Sequence, residues 1–476
     1  CKPHYEVNMD RFTETVTNDI ILGKKKSESE VKAYLDNQAL KNWAYFSNNY
    51  YKMLEFLNYE LRKIISNDTA FEKMPRVIVN DIPQMVSRSC LLYHNQPERI
   101  YSRENLSDEQ NKVLNKTYKH YKDFHRLAKT LNTILVRPIW NEKLKKFEFV
   151  KLGRHFATAI TSDDNQYDLQ ELIYGREVKN SKGENEIVYF HWTEDNVWVT
   201  DENENEISIS KVLGDEKATN DNPYKRIPFS VLRLQDSDDF WGDGISTYVN
   251  LIEQNNLKLI DALYKQWLSF GYPIGTNLGI EANRFNVAPY EPIMVNNSKV
   301  DEIQPSLQFP SPDHQVEQDK SLIDWTRKAA GTAQGLSASS MSQDETAMSG
   351  YAKTIDNLPL LEKNNDDIEA LKEFEIDLFE MMKLESKISK ATSFEGIELL
   401  EVNFKKYEFP KTIDEIWKER EFNYKYNLQS ELDWLMQDRN GLTEDEAKEI
   451  LKSNRLLKIE LGQSRPTLFE QTNQGV

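Results

Sequence analysis

The stretch that most constrains the fold of this chain runs from Phe240 to Lys390. It opens on a glycine turn, Trp241-Gly242-Asp243-Gly244, and passes into a segment patterned as a helix, Ile245 to Phe270. Ile245, Tyr248, Val249, Ile252, Ile260, Leu263 and Trp267 recur there at three- and four-residue steps, the spacing of one helical face. At about 1.5 Å per residue such a helix is roughly 38 Å long. A proline-broken stretch, 271–310, comes next, then a second helical segment from about Pro312 to Ala330. A loop of small residues, Gln334 to Gly350, leads into a long helical run from Tyr351 towards Lys390. Pro359 lies in that run and removes a backbone donor, so a kink is expected there. A long helix, a compact excursion and a returning helix form an outrigger on a larger body. That suits an assembly part better than an enzyme pocket.

The larger body reads as helices first and strands after. Residues 1–26 are polar and read as an arm. Ser27 followed by Glu30 has the pattern of a capping box, opening a helix that carries Val31, Leu35, Trp43, Tyr50, Leu57 and Leu61. A further helix is expected over Asp108 to Lys129. It holds His120 and His125, five apart rather than four, which reads as two surface histidines and not a metal pair. From Ile134 the period changes to two: 134–140, 146–150, 186–192 and 196–199 read as strands, with Asn180-Ser181-Lys182-Gly183 as a turn. An acidic loop is expected over 201–222 and a closing strand over 227–234. Residues 396–404 alternate like a strand that rejoins this sheet, and helical patterns fill the tail from Thr412 to about Leu457. The fold class is α+β, mainly helical.

Composition narrows the function. A chain of 476 residues with 39% hydrophobic and 29% charged side chains is globular and long enough for two or three domains. A net charge of −18 argues against a protein that coats nucleic acid, which needs a basic footprint. It leaves open a channel that lets DNA slide past. Two cysteines, Cys1 and Cys90, are too few for a disulfide framework, so a reducing compartment is expected. No run of about 18 apolar residues and no signal-peptide pattern is visible, so no membrane partner is expected.

Chemical motifs are scarce. There is no Walker A, His-Glu-x-x-His, paired Cys-x-x-Cys or Gly-x-Ser-x-Gly sequence. Gly242-Asp243-Gly244-Ile245-Ser246-Thr247 follows a strand and opens a helix, the setting of a dinucleotide-binding turn. Thr247 replaces the third glycine, however, and Asp243 puts negative charge where a pyrophosphate would sit. A strand-to-helix joint needing unusual φ is the better reading, with a nucleotide-binding enzyme as its alternative. Glu253, Asp261 and Asp324 read as solvated helix faces rather than a metal cluster. No catalytic residue, metal or cofactor is assigned.

In order and in residues, the chain resembles the portal proteins of tailed bacteriophages over nearly its whole length. Ile227-Pro228-Phe229, Phe240 to Ser246 leading into Ile252-Glu253-Gln254-Asn255-Asn256, Gly331 to Ser337, and Met348 to Ala352 carry the resemblance. It also touches 80–97 and the 440–443 segment. The resemblance implies a wing over 1–240, returning at about 351–410. Stem helices would occupy 241–270 and 311–333, a clip 271–310, and a tunnel loop 334–349. A long kinked wing helix would run 351–390, and a short crown 411–476. It further implies a ring, usually of twelve subunits, at one capsid vertex, with no enzymatic activity of its own. Its partners would be double-stranded DNA, the terminase large subunit, a head-completion or tail adaptor, the major capsid protein and scaffold. The ring would be assembled in the host bacterial cytoplasm and end in the virion. A structural capsid or tail protein without a channel is the other alternative.

Within that resemblance, Val249, Ile252, Glu253, Gln254, Asn255 and Asn256 are expected at stem subunit contacts. Lys258, Lys265, Lys320, Arg327 and Lys328 would offer transient phosphate contacts. Gln334, Gly335, Leu336, Ser337, Ser340, Asp344, Glu345, Ser349 and Gly350 would line the channel, with Asp344 and Glu345 repelling the DNA backbone. The proline-rich 271–310 stretch, with short apolar runs, reads as a small β-rich module between two helices, where terminase and adaptor would dock.

Overall fold

The structure, a computed structural model, describes residues 28–66, 68–103, 106–179, 185–213, 219–268, 274–276, 293–295, 306–308, 316–337, 355–405, 413–426, 428–438 and 444–460. Contacts divide the chain into two units, 1–345 with 357–407 and 346–356 with 408–476.

The first unit mixes helix and strand. It opens on α1 (Glu28–Phe46) and α2 (Tyr50–Ile64). The single helix expected through this region breaks at Ser47–Asn49. Asn48 takes a left-handed φ of 53°, and the Asn49 side chain accepts from Lys52 N to start α2. The Ser27 capping box lies outside the described residues, as do the arm and the 180–183 turn. Next come α3 (Asp68–Lys73), α4 (Ile82–Ser89) and β1 (Glu98–Tyr101). Ser107 and Gln110 form a capping box that opens α5 (Asp108–Thr117), and a 3-10 turn, Tyr118–His120, separates it from α6 (Tyr121–Leu131).

Strands dominate from there to residue 233. β2 (Thr133–Asn141) pairs antiparallel with β3 (Lys146–Leu152) and with β9 (Ser230–Arg233). A separate antiparallel sheet takes β4 (Ala157–Thr161), β5 (Leu169–Lys179), β6 (Asn185–Trp192), β7 (Val197–Thr200) and β8 (Glu206–Ile207) in order. The loop expected over 201–222 thus contains β8 and a short helix, α7 (Ile209–Leu213). On the inner face of the five-stranded sheet, Leu172, Val188, Phe190 and Val199 pack with Leu135, Phe229 and Trp241.

The glycine turn delivers the chain to α8 (Ser246–Leu268). Beyond it three short strands, β10 (Ile274–Thr276), β11 (Ile293–Val295) and β12 (Ser306–Gln308), form a sheet in the order β11-β10-β12. β10 and β11 run parallel, and β10 and β12 antiparallel. The chain returns as α9 (Val316–Ala333), which packs against α8.

The spine of the unit is α10 (Leu358–Ser389), 32 residues or about 48 Å long at the standard rise. Pro359 sits in its first turn, where a missing N–H costs nothing; the helical run expected from Tyr351 is interrupted at Asn357, so the proline marks the start of this helix and not a kink inside it. Leu360, Phe374, Phe379 and Met381 of α10 enter four different apolar clusters, tying the outrigger's root to both sheets. Its buried acids each have partners. Asp367 meets His125 (3.0 Å) and Lys129 (2.8 Å); Glu375 meets Arg99 (2.6 Å) and Tyr93 (2.7 Å). Glu385 accepts from the Tyr224 hydroxyl (2.6 Å) and the Trp140 backbone N–H (3.1 Å). His125 is therefore a core residue, fully buried, and not the surface histidine expected; it shares the inward face of α6 with Tyr121, Phe124 and Ala128. Among the described residues β13 (Leu399–Asn403), which follows α10, pairs with β1 alone rather than joining the larger sheets.

In the second unit, α11 (Ile413–Lys425), α12 (Glu431–Asp438) and α13 (Glu444–Glu460) are described. Ala447 is buried there, while Trp417, Phe422, Tyr426, Leu428 and Leu456 stand half or more exposed.

Candidate functional site

The glycine turn is a locked joint. Gly242 has φ +72° and Gly244 φ +57°, both in the left-handed region. A Cβ on Gly242 would lie 2.3 Å from Asn132 Nδ2, and one on Gly244 only 2.1 Å from the Thr130 carbonyl oxygen. The turn is thus pressed against the C-terminus of α6, and Ile245 N–H donates to that same carbonyl (3.1 Å). The Asn132 side chain, at φ 67°, bonds Gln235 through both its amide atoms.

This joint borders an open cleft of about 860 Å³, lined by Lys32, Arg154, Asp236, Asp238, Asp239 and Asp243 among others. Several of the N–H groups that a bound phosphate would draw on already have acceptors. Asp239 takes Gly242 N–H (2.7 Å) and Trp241 N–H (3.0 Å), and the Asp243 carbonyl takes Ser246 N–H (3.3 Å). Although burial alone would raise the Asp239 carboxyl, those bonds and the Arg154 guanidinium hold it below the usual aspartate range. A cleft lined by four aspartates, with several of its turn amides already bonded, is a poor phosphate site, which weakens the nucleotide alternative for this turn. Among the described residues no group of three or more His, Cys, Asp or Glu is placed to hold a metal ion. Nor is any described helix long and apolar enough to cross a membrane.

The first turns of α8 are anchored to α1. Asn42 donates to Ser246 Oγ (2.9 Å) and to the Asp243 carbonyl (3.1 Å). One heptad further on, Lys41 Nζ meets Glu253 Oε2 (2.5 Å) and Asn250 Oδ1 (3.3 Å). Burial raises the Glu253 carboxyl, and Lys41 offsets part of that rise. Asn256 Oδ1 accepts from Val79 N–H (2.8 Å), and Asn255 Oδ1 from Thr326 Oγ1 of α9 (2.6 Å).

These contacts correct the expected role of the stem residues. Val249, Ile252, Glu253, Asn255 and Asn256 are all buried inside the chain itself, Val249 and Ile252 in a cluster with Tyr45, Met85 and Leu336. Their side chains serve the root of the outrigger and are not available to a neighbouring copy; Gln254 alone of the six is exposed. Glu253 is likewise no solvated residue, whereas Asp261 and Asp324 are exposed. Of the basic set, Lys258, Lys320 and Lys328 are exposed, and Arg327 is tied to Asp81 (2.7 Å). The Lys265 side chain lies outside the described residues.

The expected channel loop begins later than the sequence pattern implied. Gln334 is half-buried, Gly335 has φ +81° against the backbone of Pro359 and Leu360, and Leu336 and Ser337 are buried. These four belong to the end of α9 and its packing on α10. Ser340, Asp344, Glu345, Ser349 and Gly350 lie outside the described residues. The sequence reading missed Lys41, Asn42 and Tyr45 as the other half of the joint. The apolar period of α1 marks that helix as core, but nothing in it names α8 as the partner.

No protein-family model matches this chain, and no curated protein does either.

Proposed function

We propose that this chain is a portal subunit: a ring-forming protein at one capsid vertex, through whose channel double-stranded DNA is packaged and ejected. The observation that carries the reading is the order of elements rooted at the glycine joint. A long helix, a small three-stranded module, a returning helix packed on the first, and a spine helix through the main core follow one another in a single chain. Such an outrigger does nothing obvious for a monomer. Side by side in a ring, repeated copies of it would line a passage and carry their small sheets together to one end. There the terminase large subunit, and later a tail adaptor, would dock.

The test is the mass and shape of the purified particle. A closed ring of about twelve copies with an open axis, seen by mass photometry and electron microscopy, supports the reading. Particles without a central opening would favour the capsid or tail protein that lacks a channel. A monomer at micromolar concentration would reject the ring.

A further inference from the structure

Charge in this chain is segregated. Residues 157–222 carry sixteen acidic side chains and five basic ones, a balance that accounts for more than half of the net −18. That stretch is the β4–β8 sheet with its connections. An antiparallel sheet with one face in water normally turns polar side chains outward. Here the outward set includes Ile160, Ile173, Ile187, Tyr189 and Trp198, which alternate with the core residues and belong to no apolar cluster of the described residues. Across the strands Ile173 lies opposite His191 and His191 opposite Trp198. The His191 ring stacks on Trp198 at 5.0 Å and is fixed by Glu171 (2.7 Å) and Thr200 (3.0 Å). The result is a firm apolar patch bordered by exposed carboxylates such as Glu177, Glu202 and Glu206.

The complementary surface is on the same chain. Residues 112–151 hold eleven basic side chains and three acidic ones; Lys129 and Arg137 turn inward, onto Asp367 and onto Trp192 and Tyr224, and the other nine basic groups are partly or fully exposed. They form α5, α6 and the β2–β3 hairpin, joined where Lys116 Nζ donates to the hairpin carbonyls of Leu144 (3.2 Å) and Lys145 (3.4 Å). Exposed apolar groups sit in this field too, Leu144 at 52% and Ile139 at 39%. Within the hairpin Lys145 pairs with Glu142 and Lys146 with Glu148, and no ion pair between described residues joins the basic stretch to the acidic one. Among the described residues the exposed charge of each surface is thus left unmatched by the other inside one copy. A two-fold contact of either with itself would set like charges against each other. A head-to-tail contact matches them, and such contacts repeat into rings when the rotation closes.

We propose that the outer face of the β4–β8 sheet receives the basic helix-and-hairpin face, 112–151, of a second copy of this chain. The inference rests on the ring reading and names two surfaces that meet in it. The test uses the full chain and two charge-reversal variants at exposed positions. One carries Lys112→Glu, Lys119→Glu and Lys143→Glu; the other carries Glu177→Lys, Glu202→Lys and Glu206→Lys. Each alone should lose assembly by at least about tenfold at low salt, where charges are least screened, with the subunit's unfolding midpoint unchanged. Mixed one to one, the two should form dimers or larger species, because one variant keeps an intact sheet face and the other an intact basic face. That rescue is the signature of a head-to-tail contact.

Rings of wild-type yield from both variants would overturn the inference and leave the ring reading standing, as would a mixture that stays monomeric while the wild type forms rings. Loss on reversing the sheet face alone would also overturn it, pointing to a basic partner other than this chain. Open filaments broken by both variants would support the contact and reject the closed ring. A wild type that never associates would reject both.

Discussion

Replacing Gly244 by alanine isolates the strain held in the joint. A residue with a Cβ at φ +57° costs roughly 1–2 kcal/mol in the left-handed region. The new Cβ would lie 2.1 Å from the Thr130 carbonyl oxygen, a backbone atom that cannot swing aside. The end of α6 must shift, and the Ile245 N–H to Thr130 bond is lost with it, a further ~1 kcal/mol. With a modest term for the displaced packing, about 3–4 kcal/mol is expected. Gly396 supplies the control, because its φ is +72° but a Cβ there meets nothing within 4 Å. Gly396→Ala should cost only the backbone term, about 1–2 kcal/mol. Both substitutions also restrict the unfolded chain by a similar amount, so that contribution cancels in the comparison. Urea unfolding followed by tryptophan fluorescence measures both variants; Trp241, buried beside the joint, reports on it. A difference of about 2 kcal/mol is expected between them. Equal costs would mean that the joint relaxes freely and that the close approach of turn and helix stores nothing.

Other consequences follow from the same core. Val249→Asp puts an unpaired charge at a fully buried position of the chain's own core, so the subunit itself should lose several kcal/mol, visible as a lowered urea midpoint before any assembly is scored. Glu375→Ala leaves Arg99 and the Tyr93 hydroxyl buried without their acceptor and should cost about 3–5 kcal/mol; a loss under 1 kcal/mol would show that the site relaxes or admits water. His125 tests the pH axis: burial pulls its pKa down, but Cys90 and the Asp367 carboxylate more than compensate, holding it at about 9. A raised folded pKa stabilises fully below the unfolded value of about 6.5 and is lost as pH climbs through 9, so up to ~3 kcal/mol should disappear between those limits. His125→Gln should flatten that slope, and parallel slopes for variant and wild type would contradict the assignment.

Much of the fold was legible because periodicity is a local signal. β2, β3, β6 and β7 announce themselves by alternation, and α8, α9 and the small β-module between them by a helical stripe and spaced prolines. β5 escaped because Gly175, Arg176 and Glu177 interrupt its apolar pattern, although its register with β6 continues through all three. The break between α1 and α2 was written in Ser47-Asn48-Asn49: asparagine is the residue that best tolerates left-handed φ and also caps a helix. The apolar period on either side masked it. Pro359 misled for the opposite reason. Proline breaks a helix only from inside, and the sequence alone did not show that α10 starts one residue before it.

The site was less legible because period tells which side of a helix is buried, not what buries it. Val249, Ile252, Asn256 and Ile260 form one stripe, and Glu253 lies four residues from Val249 and three from Asn256, on the same side. A polar run interrupting an apolar face was therefore open to two meanings, a contact with a neighbour or polar groups satisfied within the subunit. The second holds here, since Lys41, the Val79 N–H and Thr326 each need a partner where α1, the 77–79 segment and α9 converge. What α8 then leaves exposed includes Gln254, Lys258 and Asp261, a polar stripe at four- and three-residue spacing. On α9 the exposed residues include Leu322 and Trp325, the latter 66% exposed. The two helices therefore differ on their outer sides: α8 presents a stripe suited to water, α9 a stripe with apolar area still to be covered. A ring built from this hairpin places the first stripe more easily along a hydrated channel and the second between subunits, the reverse of an assignment that reads Val249 and Ile252 as the intersubunit contact.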